Sequence, residues 1–247
     1  MSVLLLAPAK LTLSLWITGV RPDGFHLIDA EMVTVDLCDE LEIDPAGDLF
    51  EVEVDGSVRP GSGDDLVVRA LDLAGRRAAV RLRKRIPQGA GLGGGSADAA
   101  AILRWAGEFD AHRAVGLGAD VAFCLRGGRA RVTGIGEQVE QLPFESRTLT
   151  LLTPPLHCST PVVYRTWDDL GGPTGDHGND LEPAALVAYP ELVRFRDRLG
   201  EVTGQVPRLA GSGSTWFVEG AFDGDGLVAV TTTEPLAPPA DRSPDPG

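Results

Sequence analysis

The sequence predicts a chain of mixed strands and helices folded as two lobes. Its first third alternates apolar and polar residues in one segment after another, the period of half-buried strands. After Pro87 the pattern changes to a glycine-rich loop that opens into a helix, and from about Thr148 the character shifts again. A chain of 247 residues is long enough for one large domain or two smaller ones, and these shifts favour two.

Residues 3 to 17 form the first expected strand, with Leu11, Leu13, Leu15 and Ile17 on one face and Thr12, Ser14 and Trp16 on the other. Lys10 interrupts this run. Apart from Lys10 and Lys84 the chain uses arginine wherever it carries a basic side chain, so a lysine inside the most strand-like N-terminal segment needs a reason. The turn VRPDGFH follows, with Pro22-Asp23-Gly24 supplying its chemistry. EMVTVDLCDELEI at 31–43, FEVEV at 50–54 and AAVRLRKRI at 78–86 alternate in the same way.

In QGAGLGGGSADAAAILRWAGEF, Ser96 is a good N-cap, Asp98 suits the first helical turn, and Ala99, Ile102, Leu103 and Ala106 fall at helical spacing. A second glycine turn, GLGAD at 116–120, leads into VAFCLRGG and then the strand-like RARVTGIG. TLTLLTP reads as a strand, and STPVVYRTWDDL as a helix with a Ser/Thr cap and Pro161 in its first turn. Residues 179–199 read as two helical pieces parted at Tyr189-Pro190, and RLAGSGSTWFVEG as a glycine-serine turn feeding an aromatic strand. The lobes are expected at 1–147 and 148–234, with a disordered proline-rich tail at 235–247.

The net charge of −14 argues against a general nucleic-acid binder, because phosphate backbones are held by basic surfaces. An anionic ligand must find a local positive site. The segment RRAAVRLRKR, 76–85, holds six of the 22 basic residues and runs into the glycine loop; a solvated strand face is the plain alternative. Cys38, Cys124 and Cys158 are odd in number and far apart, which fits neither a disulfide framework nor a zinc site and suits the cytoplasm. The N-terminal apolar run is broken by Pro8 and Lys10 and is too short to span a bilayer, so neither a signal peptide nor a membrane helix is expected.

The segment IPQGAGLGGGSADAA, 86–100, is the sharpest motif. Glycines let a ligand approach main-chain N–H groups, and a following helix N-terminus adds partial positive charge, a combination that suits phosphate oxygens. A Walker A loop is excluded, since no lysine precedes Ser96. Gly89, Gly91 and Gly94 satisfy G-x-G-x-x-G, but the preceding strand is basic, Pro87 interrupts the entry, and the motif lies mid-chain after strands of antiparallel type. The remaining form, Pro-x-x-x-Gly-Leu-Gly followed by small residues and a helix, resembles the GHMP kinase superfamily, and within it the branch that acts on 4-diphosphocytidyl-2-C-methyl-D-erythritol. APAKLTLSLWITGVRPDGFHLI, GADVAFCLRGG, NDLEP and LAGSGSTWF resemble further motifs of that branch in the same order, so the resemblance spans residues 7 to 218.

The resemblance implies an α+β fold in two lobes, an N-terminal nucleotide-binding lobe and a C-terminal ferredoxin-like one, with ATP and substrate between them. It implies a reason for Lys10: this lysine and Asp120 would face one another beside the acceptor hydroxyl and the transferring phosphate. Taken singly, Lys10 could equally lie along an edge strand and Asp120 could be a helix cap. ATP phosphates would be held by Pro87, Gly89, Ala90, Gly91, Leu92, Gly93, Gly94, Gly95 and Ser96, with Asp65 on the adenosine side and Mg2+ bound mainly through ATP. The substrate, a small molecule carrying cytidine diphosphate, would meet Thr12, Phe25, His26, Asp120 and Tyr164, and the turn Gly211-Ser212-Gly213-Ser214 would close over phosphates. The chain departs from the family pattern in Thr12 for asparagine, Asp65 for asparagine and Phe25 for tyrosine, and in a short span between the loop helix and Gly118. Another GHMP kinase, of homoserine or mevalonate type, or a catalytically silent nucleotide-binding relative, remains the alternative.

Overall fold

The computed structural model describes residues 2–236. β1 (Val3–Val20) and β2 (His26–Asp44) form a long antiparallel hairpin. Between Ala7 and Leu13 nearly every residue on both faces of β1 is buried. The alternation seen in the sequence is therefore between an apolar set and a polar pair, Lys10 and Thr12, that is itself enclosed.

β2 is the hub of the first sheet. One edge carries β1, while the other is shared end to end: Glu40–Asp44 pairs with β5 (Ala79–Lys84) and Ile28–Val33 with β6 (Arg129–Gly134). β3 (Phe50–Val54) joins β5 in parallel, β4 (Ser57–Pro60) extends that side, and β7 (Gln138–Gln141) extends the other. β8 (Thr148–Leu152), β9 (Arg208–Leu209), β10 (Trp216–Glu219) and β11 (Leu227–Thr231) make a second sheet in the order β11-β8-β10-β9. The helices are α1 (Leu66–Leu73), α2 (Gly94–Ala106), α3 (Ala111–Ala114), α4 (Val121–Arg126), α5 (Thr160–Asp169), α6 (Glu182–Ala188) and α7 (Leu192–Thr203).

α2 starts earlier than expected. Gly93, at φ 65°, swings the chain into the helix, so Ser96 lies inside the first turn and is not the N-cap. Asp98 does not serve the helix dipole either; it is buried and bound to Lys84. Every residue from Ala97 to Leu103 is buried, which the run of alanines permits by letting β1, α1 and α4 approach α2 closely. The short span before Gly118 is spent on α3, a single turn capped by Asp110, whose carboxylate accepts from His112 N at 2.8 Å and Arg113 N at 3.3 Å.

The basic run on β5 is neutralised across the sheet. Arg81 pairs with Glu51, Arg83 with Glu53 and Glu40, and Arg85 with Glu40. These arginines form a paired strand face and are no anion site.

The two sheets share their cores. Leu11, Val35 and Leu92 pack in one cluster with Leu149 and Phe217, while Leu15, Leu41 and Ile102 pack in another with Leu152 and Trp216. Asp36 adds a polar link, accepting from Thr231 N at 2.9 Å and Thr231 Oγ1 at 2.6 Å. Of the segment expected as a tail, Pro235 bridges Gly127 and Leu236 N donates to Arg126 O, and residues 237–247 lie outside the described residues. Among the described residues no helix is long and apolar enough to cross a membrane, and the three cysteines are free.

Phe217 is fully buried at the junction of the sheets. Phe217→Ala should lower the unfolding free energy by about 3–5 kcal/mol, read from urea denaturation followed by circular dichroism.

Candidate active site

A cleft of about 1020 Å³ runs between the glycine loop, β1 and α5. Lys10, Thr12, Phe25, His26, Asp65, the whole loop from Pro87 to Ser96, Asp120 and Tyr164 all line it, together with Gly211, Ser212 and Gly213. The residues singled out from the sequence are thus brought to one place.

At its centre Lys10 Nζ lies 3.2 Å from Asp120 Oδ2 and donates to Thr12 Oγ1 at 3.0 Å. The lysine side chain is 7% exposed and the aspartate 28%. Asp120 opens α4, but its side chain makes no capping bond and is directed to Lys10 instead. Gly93 allows the approach: a Cβ there would stand 2.6 Å from Lys10 Cγ.

The glycine loop is held by its carbonyls. Gly89 O accepts from Cys158 N, Ala90 O from Thr215 N, and Leu92 O from Lys10 N, at 3.3, 3.1 and 3.1 Å. Gly91, at φ 77°, is pressed against the second glycine turn, where a Cβ would come within 2.6 Å of Ala210 O. In contrast, among the described residues no backbone N–H from Gln88 to Ser96 donates a hydrogen bond within the protein. A row of unpaired amides at a helix start is an anion cradle. Asn179 fixes the opposing turn: its Nδ2 donates to Leu209 O at 2.9 Å and Gly211 O at 2.7 Å.

At the other end the turn after β1 presents Phe25, 57% exposed, with the Arg21 guanidinium 5.9 Å from its ring centre. His26 opens β2 with its side chain 9% exposed, its ring 4.7 Å from Tyr164 and edge-on to Trp167 at 5.5 Å. Burial, and then the nearby Asp120 charge, push the Tyr164 hydroxyl well above its ordinary pKa, so it stays a neutral donor.

Comparison with known proteins gives the family. The model of the GHMP kinases N terminal domain matches residues 65–128. A 4-diphosphocytidyl-2-C-methyl-D-erythritol kinase of Ruegeria pomeroyi is 35% identical over 264 residues, covering 95% of this chain and 94% of its own. The crystal structure of a 4-(cytidine 5'-diphospho)-2C-methyl-D-erythritol kinase superposes with a TM-score of 0.72 at 30% identity, over 93% of this chain and 99% of that one. The chain belongs to the GHMP kinase family. A mevalonate kinase structure, with a TM-score of 0.56 and 11% identity over 94% of this chain and 99% of its own, shares the GHMP kinase fold.

Two features of this GHMP kinase were not visible as site elements in its sequence. The first lies under the loop, where Lys84 Nζ binds Asp39 and, at 2.7 Å, Asp98. Asp39 also accepts from Ile86 N at 2.8 Å. Two carboxylates thus share one ammonium, and Asp98 Oδ1 is buried without a partner. Burial pushes the Asp98 carboxyl up to about 7 despite the Lys84 charge, so it holds its proton into the neutral range. The second is Asp168 on α5, whose Oδ1 is 2.8 Å from His26 Nε2. Asp65, expected on the adenosine side, has its Oδ2 accepting from Ser62 N at 2.7 Å, so one carboxylate oxygen is engaged in its own turn.

The raised Asp98 pKa sets a sign for stability. A carboxyl that binds its proton more tightly when folded contributes stability below its unfolded value of 3.8, and that contribution is lost as pH rises through about 7. Asn mimics the protonated form, so Asp98→Asn should gain stability relative to the parent protein as pH is raised from 5 to 8. Thermal melts of both proteins across that range check it.

Proposed function

We propose that this GHMP kinase transfers the γ-phosphoryl group of ATP to the 2-hydroxyl of 4-diphosphocytidyl-2-C-methyl-D-erythritol, in the non-mevalonate route to isoprenoid precursors. The observation that carries the reading is the Lys10–Asp120 pair at 3.2 Å, standing between the free loop amides and the His26 end of one cleft.

Phosphoryl transfer asks a protein mainly for alignment and for neutralisation of charge on the phosphate oxygens. The amides of Gln88–Ser96 and the N-terminus of α2 cradle the nucleotide phosphates, and the turn at Gly211–Ser214 faces them. Lys10 supplies a fixed cation at the transferring group. Asp120, the more exposed of the pair, accepts a hydrogen bond from the acceptor hydroxyl and orients it, taking its proton as the new bond forms. Phe25 offers a stacking face to the cytosine, His26 a hydrogen-bonding edge, and Tyr164 joins that end to the reacting one. Asp65 keeps one free carboxylate oxygen for the adenosine side.

Among the described residues no three His, Cys, Asp or Glu side chains stand together to hold a metal, and Asp98 and Asp120 are each taken by a lysine. This donor set fits Mg2+ carried by the triphosphate, with the Ser96 hydroxyl as a protein contact. When bound, the ion neutralises charge on the phosphate oxygens. Three free thiols fit a cytoplasmic protein.

An ADP-release assay with the diphosphocytidyl sugar alcohol, homoserine and mevalonate tests the reading. Turnover is expected with the first alone, and Asp120→Asn should lower kcat by about 10²–10⁴ while the protein stays folded. Turnover of homoserine or mevalonate instead, or an unchanged rate in Asp120→Asn, overturns it.

A further inference from the structure

Asp168 lies outside the motifs that the resemblance covers with a role, yet it makes the only side-chain hydrogen bond that His26 has among the described residues, at 2.8 Å from Nε2. It comes from α5, the same helix that supplies Tyr164 and Trp167, so neighbouring side chains of one helix grip a ring at the start of β2. The ring is 9% exposed while the Asp168 side chain is 47% exposed. The imidazole is thus held by the tilted ring of Tyr164, the perpendicular ring of Trp167 and a carboxylate on one nitrogen.

That contact decides the hydrogen-bonding character of the other nitrogen. An ionised carboxylate can only accept, so Nε2 must carry a proton where it meets Asp168. In the neutral ring the second nitrogen, Nδ1, is then a bare acceptor. Cytosine and uracil differ at ring position 4: cytosine carries an amino donor there and uracil a carbonyl acceptor. An acceptor in the protein binds the first and opposes the lone pairs of the second.

We infer that Asp168 is a positioning residue that sets pyrimidine specificity: by holding His26 as its Nε2–H tautomer it leaves Nδ1 to accept from the 4-amino group of cytosine and to turn uracil away. The inference rests on the cytidine reading of this end of the cleft. Tyr164 and Trp167 keep the ring in place when Asp168 is changed, so the effect of the carboxylate is on the tautomer and not on the fold.

The test uses calorimetric binding of CDP and UDP to the full chain, with long-range 1H–15N spectra of the His26 ring recorded above its titration range. The parent protein should prefer CDP and show the Nε2–H tautomer. In Asp168→Asn the amide can donate to Nε2 as well as accept from it, so both tautomers should appear and the CDP:UDP affinity ratio should fall about tenfold. The kinetic loss with the cytidine substrate should fall on KM more than on kcat, and Asp168→Glu, which restores an acceptor, should recover part of the preference. An Nδ1–H tautomer in the parent protein, or an undiminished CDP preference in Asp168→Asn, overturns the inference and leaves the kinase reading standing. Binding of neither diphosphate overturns the cytidine reading together with it.

Discussion

An ammonium group held almost out of water is the constraint on which the rest of this structure turns. Burying an isolated charge is costly, and it is tolerated only where partners take up its protons. Lys10 has Asp120 and Thr12 within 3.2 Å. Reaching that arrangement requires β1, the glycine loop and α4 to meet at one point, although Lys10 and Asp120 are far apart in the chain. Arg104 on α2 helps to set the distance, donating from Nη1 to Cys124 O on α4 at 2.6 Å and from Nη2 to Leu6 O on β1 at 3.2 Å. Gly93 follows from the same constraint, since any side chain there would displace the lysine stem.

An acidic protein that must hold a polyanion faces an electrostatic problem, and this one meets it locally. Arg81 and Arg83 of β5 and the adjacent Arg85 are matched to glutamates on β2 and β3, and Lys84 is bound by Asp39 and Asp98. At the loop the amides from Gln88 to Ser96 stand beside the fixed charge of Lys10, and Arg59 and Arg165 line the same cleft with no ion pair among the described residues. Amides and a helix N-terminus act over short range and depend on orientation. Groups of this kind hold an anion by fit, whereas a net charge of −14 draws none in from a distance.

Much of this was legible in the sequence, for reasons that differ by element. The period of β1 and β2, the break at Pro87 and the division at Tyr189-Pro190 are local signals, and the structure follows them. Residue preferences put the start of α2 at Ser96, because they reward a hydroxyl cap and do not register Gly93 in a left-handed turn. β11 and α1 went unseen as elements. β11 has five residues and depends on pairing with β8, which no local pattern reports. The meeting of Lys10 with Asp120 was visible only through resemblance to a family. Asp168 and Asp98 were invisible as site residues, since a charge on a helix reads as solvated until the strand that faces it is known.

The Lys10–Asp120 pair is unequal, and the inequality bears on the substitution of Thr12 for the family's asparagine. The ammonium offers three protons. Asp120 and Thr12 account for two of them, which leaves one unpaired among the described residues, on a side where a Cβ at Gly211 would stand 3.6 Å from both Lys10 Nζ and Thr12 Oγ1. A hydroxyl is enough to hold the ammonium, because it accepts from the lysine and still has a proton of its own to give. An asparagine would reach farther into the cleft, but the lysine needs only an acceptor at 3.0 Å, and Thr12 lies on the same face of β1 two residues on. The shorter side chain thus keeps the contact that holds the cation.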